Sequence, residues 1–75
     1  MSNYTVKLLW DNEAAVWIAT SKDIQGLVLE SGSIDALIER VRFAVPELLE
    51  LNGIHKKEAT VSFVSERTDT VSVNG

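Results

Sequence analysis

Three of eleven carboxylates, the one histidine and a scatter of serines are the first side chains of this sequence to test for chemistry. Two-metal phosphodiester chemistry needs several carboxylates converging on ions held ~3.5–4 Å apart. Asp11, Asp23 and Asp35 are the candidates, and each falls where local structure accounts for an acid: a turn, a polar loop and a helix start. His55 is the only histidine, so neither a histidine metal cluster nor a paired acid–base system can be built. It stands beside Lys56 and Lys57 and reads as a solvated surface residue. Ser21, Ser31, Ser33, Ser62, Ser65 and Ser72 have no triad to join, and turn, cap or strand-surface roles suffice for them. Gly26 and Gly32 form no phosphate-cradling motif and read as turn residues. No catalytic residue, cofactor site or metal site is therefore expected, and the chain reads as a non-enzyme.

The elements that must position these residues are bounded by size. Seventy-five residues make one domain, spanning 1–75. A chain this short buries only about 60% of its unfolded surface, so it depends on one compact core. The absence of cysteine removes disulfides, thiolate metal sites and a thiol nucleophile. A formal net charge of −4 argues against direct nucleic-acid binding, and Lys56-Lys57 is too small a basic patch to reverse that. No apolar run approaches the roughly 18 residues of a membrane helix, and the first residues do not resemble a signal peptide. A soluble, cytoplasmic domain is the expectation.

Hydrophobic periodicity orders the elements. Tyr4, Val6, Leu8 and Trp10 alternate with Thr5, Lys7 and Leu9, a half-buried strand ended by a turn at Asp11-Asn12-Glu13. Ala14 to Thr20 reads as a second strand, with Val16 and Ile18 on one face and Trp17 on the other. Leu27 to Glu30 forms a short third. From Ser33, a good N-cap, the period changes to 3.6: Ile34, Leu37, Ile38, Val41, Val45, Leu48 and Leu49 share one stripe of an amphipathic helix. Asn52-Gly53 stops it, with Ile54 folding back on Leu49. Pro46 interrupts the helical bonding and predicts a bend near Arg42 or Phe43. Ala59 to Ser65 is the fourth strand, and Thr70 to Val73 a short fifth, paired back or with another chain. The resulting fold class is α+β in βββαβ order: an antiparallel three-strand meander, one crossover helix, and a fourth strand parallel to the first. One helix covers one face of such a sheet and leaves the other bare.

Three features suit an interface. Phe43 sits half a turn from the apolar stripe and points outward on an ideal helix, unless the Pro46 bend carries it to the sheet edge. Trp17 faces opposite Val16 and Ile18, and with Leu9, Ala15 and Leu27 it would make the bare face apolar. A one-residue register slip would instead place Trp17 in the core. Glu47 and Glu50 lie near the helix C-terminus, where the dipole disfavours negative charge. A basic partner would relieve that cost; a solvated face also explains them. Trp17, Phe43, Glu47 and Glu50 are thus the candidate partner-binding residues.

The order of elements and the loop motifs resemble the HicB antitoxin superfamily, in its short form known as domain of unknown function 1902, from about Tyr4 to Gly53. The family's Pro-Asp-Leu-Pro-Gly-Cys loop corresponds to Lys22-Asp23-Ile24-Gln25-Gly26-Leu27, in which Asp23, Ile24 and Gly26 match while both prolines and the cysteine are replaced. The Gly-Asp-Thr that starts the family helix corresponds to Ser31-Gly32-Ser33, with Ser33 keeping the hydroxyl. The run Val45-Pro46-Glu47-Leu48-Leu49-Glu50-Leu51-Asn52-Gly53 resembles the short form most. The resemblance implies a partial RNase H-like fold and a partner: a small basic HicA-like toxin that cleaves mRNA, bound and masked by this domain. Family nuclease sites carry acids on the first strand, which here has none between Tyr4 and Trp10. No second, DNA-binding domain is expected, so operator binding is not implied. The alternative from a different class is a stand-alone homo-oligomeric module, a dimer or larger, that covers its bare face with its own copy.

Overall fold

Alternating residues and one 3.6-period stripe build a two-layer domain in the computed structural model, which describes residues 3–74. The strands are β1 (Asn3–Asp11), β2 (Val16–Thr20), β3 (Val28–Ser31) and β4 (Thr60–Glu66), with the helix α1 (Ile34–Leu51) between the last two. They form one mixed sheet in the order β3-β2-β1-β4. β1 pairs antiparallel with β2, β2 antiparallel with β3, and β1 parallel with β4. The α+β fold class and βββαβ order inferred from periodicity are those observed.

One side of the sheet meets α1. Tyr4, Val6 and Leu8 of β1, Ala19 of β2, and Leu37, Val41, Val45 and Leu49 of α1 are buried together, joined by Ile24 and Leu27 from the loop between β2 and β3. The helix lies over β3 and β2 rather than over the middle of the sheet. Arg40 reinforces that position by donating from Nη1 to the carbonyl of Glu30 at 2.8 Å.

Both ends of α1 are closed as its sequence requires. Ser33 Oγ accepts from the amide of Ala36 at 3.3 Å, and Asp35 occupies the first turn. At the other end Gly53, with φ of 78°, lets its amide reach the Glu50 carbonyl and the Ile54 amide reach that of Leu49, at 3.1 and 2.8 Å. That is the paired bonding of a Schellman motif, which a β-carbon at Gly53 would strain. α1 continues unbroken through Pro46. Proline has no amide hydrogen to give the Arg42 carbonyl four residues earlier, and its ring lies on the exposed side. Replacing Ser33 by Ala removes the N-terminal acceptor, and an expected loss of about 1 kcal/mol is measurable as a lower urea midpoint with unchanged slope.

The sheet's register reverses one expectation. Trp17 stands opposite Trp10 and Ala19 opposite Leu8, so Trp17 shares the helix-facing side and packs against the core. The uncovered side carries Val16 and Ile18 instead. The cause is the connection between β1 and β2. Its turn spans residues 12–15, closed by Asp11 Oδ1 accepting from the amides of Glu13 and Ala14, and Ala15 adopts φ of 55°. Four residues separate the paired Asp11 and Val16, where Asp11-Asn12-Glu13 would have made a turn of three, and that one extra residue exchanges the faces of β2. Leu27, also assigned to the bare face, is buried in the core, and Ala15 lies in the turn. The fifth strand is not formed by pairing back within this chain: residues 67–74 are exposed and have no regular secondary structure.

Candidate protein-interaction site

Of the carboxylates considered for metal chemistry, Asp11 and Asp23 accept from backbone amides. Asp11 closes the first turn, Asp35 sits in the first turn of α1, and Asp23 Oδ2 accepts from the Thr5 amide at 2.8 Å. Beside it, Ser21 Oγ donates to the Thr5 carbonyl at 2.6 Å and accepts from the amides of Asp23 and Ile24. Pairing between β1 and β2 stops at Lys7 and Thr20, so Ser21 and Asp23 satisfy β1 where β2 no longer reaches it. The same loop drops Ile24 and Leu27 into the core. Gly26 takes φ of 89° against Leu48, and the Gln25 carbonyl accepts from Asn52 Nδ2 at 3.1 Å. The loop is thereby tied to β1 and to the end of α1.

The outer side of α1 is different in kind. Val41, Val45, Leu37 and Leu49 take its inner side, so residues about half a turn away must face water. Phe43 is 77% exposed and Leu51 81% exposed. Asp35, Glu39, Phe43, Glu47 and Leu51 recur every fourth residue and are all exposed, with Glu50 beside them. Glu39 pairs with Arg42 at 2.9 Å and Glu50 with His55 Nδ1 at 3.3 Å, both pairs in open solvent, where such contacts hold side chains only weakly. No basic residue lies in the last turn to offset the dipole. An acidic crest with two large apolar side chains can dock a basic surface that offers apolar cavities.

Three of the four residues singled out from sequence therefore share one surface: Phe43, Glu47 and Glu50. Trp17 does not join them. It lies across the sheet from Ser31, its ring centroid 5.4 Å from that of Trp10, over which the Arg67 guanidinium sits at 4.1 Å. Glu39 and Leu51 escaped the sequence reading, although their four-residue spacing from Phe43 and Glu47 was the signal available.

Two more apolar surfaces remain. The bare sheet side carries Leu9, Ile18, Val28 and Val64 among Thr5, Lys7, Glu30 and Glu66. Because α1 leans towards β3, an open groove of about 400 Å3 runs between α1 and β4; its apolar lining includes Val45, Leu49, Val61 and Phe63, and Arg42, Glu50, Lys56, Lys57 and Glu58 add charges of both signs. Among the described residues no three His, Asp or Glu side chains are placed to hold a metal ion. Among the described residues no helix is long and apolar enough to cross a membrane.

The architecture is shared with a recognised group of domains. The model of a family described as a domain of unknown function, DUF1902, matches residues 3–74, and the chain belongs to that family. Among solved structures it is similar to the crystal structure of a hypothetical protein from the extremely thermophilic bacterium Thermus thermophilus. The two are 38% identical, with a TM-score of 0.72 over 93% of this chain and 97% of that one. A search of the curated proteins gives no match.

Proposed function

We propose that this chain is a non-catalytic, HicB-like binding domain of the antitoxin type, acting in the prokaryotic cytoplasm, which partners or neutralises a small basic HicA-like mRNA-cleaving toxin. The observation that carries this reading is the outer crest of α1, where Phe43 and Leu51 stand exposed among Glu39, Glu47 and Glu50. Apolar side chains flanked by acids such as Glu47 and Glu50 are suited to a basic protein surface: the acids steer association and the aromatic supplies a buried anchor. Support also comes from the resemblance of Asp23, Ile24, Gly26 and Ser33 to HicB loop positions.

Co-expression with a basic reading frame of HicA size encoded beside this one, followed by affinity capture and a growth assay, tests the proposal. A complex and rescue of growth are expected. Phe43→Ala, or Glu47→Lys with Glu50→Lys, should weaken capture about 30-fold or more, the range of a hot-spot loss, without unfolding the chain. A folded chain that neither captures the toxin nor restores growth would overturn it. The second reading, a self-associating module, is favoured by a different observation: apolar side chains on the open groove, the bare sheet side and the segment after β4.

A further inference from the structure

Residues 67–74 leave the domain as an extended continuation of β4. The molecule measures 56 × 22 × 18 Å, with a radius of gyration of 14.7 Å against about 11 Å for a compact chain of this length. β4 and the eight residues after it, fifteen in all, span roughly 50 Å of that long axis when extended at ~3.3 Å each. The direction is set where the segment begins. Arg67 continues the parallel register beyond Leu9 and Glu66, lies over the Trp10 ring, and pairs through Nε with Asp69 Oδ2 at 2.9 Å. No glycine or proline between Glu66 and Val73 turns the chain back on itself.

This segment has the pattern of a half-buried strand without a sheet to bury it. Thr70, Val71, Ser72 and Val73 alternate polar and apolar, and the valines are 73% and 94% exposed. β4 in turn has an open edge, since β1 is its only neighbour in the sheet. Its helix-side residues Val61 and Phe63 form the floor of the groove that α1 leaves uncovered.

We propose that residues 67–74 pair antiparallel with the open edge of β4 in a second copy, and that the exchange is reciprocal. Register follows from side-chain matching. Side chains directly opposite in an antiparallel pair share a face, so odd-numbered residues must oppose odd-numbered ones. Setting Val73 against Val61 and Val71 against Phe63 buries both valines on the groove floor. A shift of two residues one way puts Asp69 against Phe63, and the other way sets Val71 against Ser65. In the matched register Arg67 lies on the two-fold axis, each copy's charge offset by its own Asp69. β4 offers seven residues to pair with and β3, the other edge, only four. Capping an exposed edge with the partner's strand also removes a template for uncontrolled pairing. The inference deepens the self-association reading and is independent of any toxin.

Mixing two single-cysteine chains tests it, because the protein contains no cysteine of its own. Chains with Val61→Cys and chains with Val73→Cys, mixed and oxidised, should give a covalent mixed dimer. The unmodified protein should show twice the 8.3 kDa mass of one chain in solution. Val71→Asp with Val73→Asp should return it to the single-chain mass with unchanged circular dichroism, since neither side chain touches the core. A dimer that survives the aspartates and forms no mixed disulfide would overturn strand exchange while leaving self-association standing through another surface. A single-chain mass for the unmodified protein at high concentration would overturn both.

Discussion

Replacing Ile24 by Ala should destabilise the domain by about 2–4 kcal/mol, although the residue lies in a loop. Its side chain is fully buried, among the largest so enclosed in the chain. Truncation removes the transfer energy of three carbon atoms and leaves a void between the sheet and α1. The surroundings cannot close readily over it. The loop is tied to Thr5 through Ser21 and Asp23 and to Asn52 through the Gln25 carbonyl. A domain of this length has roughly 4–11 kcal/mol in total, so the variant should lose a large share of its stability. At a urea slope of ~1 kcal/mol per molar, the midpoint should fall by about 2 M or more. A shift under 0.5 M, on the order of what a surface substitution produces, would mean that the loop is not part of the core.

The second large effect is a contrast along one helix. Leu37→Ala should cost about 2–5 kcal/mol, because Leu37 is fully buried between α1 and the sheet. Phe43→Ala removes a larger side chain yet should change stability by no more than about 0.5 kcal/mol, because Phe43 already faces water. Paired denaturation curves decide the matter. Comparable losses at both positions would place Phe43 inside the fold and remove the acidic crest's apolar anchor from consideration as a docking surface.

Most of the architecture was legible in the residue pattern because it rests on periodicity. The switch from alternation in Tyr4–Trp10 to the 3.6 stripe of Ile34–Leu49, framed by Ser33 and Gly53, marks element types and the helix ends. The same stripe, read from its opposite side, places Phe43, Glu47 and Glu50 outward. What could not be read was the choice between the two faces of β2. That choice hangs on a single residue in the first turn, and Ala15 in a left-handed conformation carries no compositional mark of the kind a glycine would. Trp17 was misplaced for this reason alone. The groove beside β4 was also invisible, because it arises from where α1 leans across the sheet. That position depends on Arg40 reaching the Glu30 carbonyl and on the filling of the space by Ile24 and Leu27.

The two long sides of α1 are open to selection on different terms. Leu37, Val41, Val45 and Leu49 can change only through exchanges that conserve volume, because each shares its space with the sheet. Glu39, Phe43, Glu47, Glu50 and Leu51 are exposed, and the ion pairs of Glu39 with Arg42 and of Glu50 with His55 lie in open solvent. A lineage can therefore rewrite the outer row one substitution at a time, altering charge and shape while melting behaviour stays constant. Recognition on this helix is free to diverge between paralogues faster than the fold that carries it.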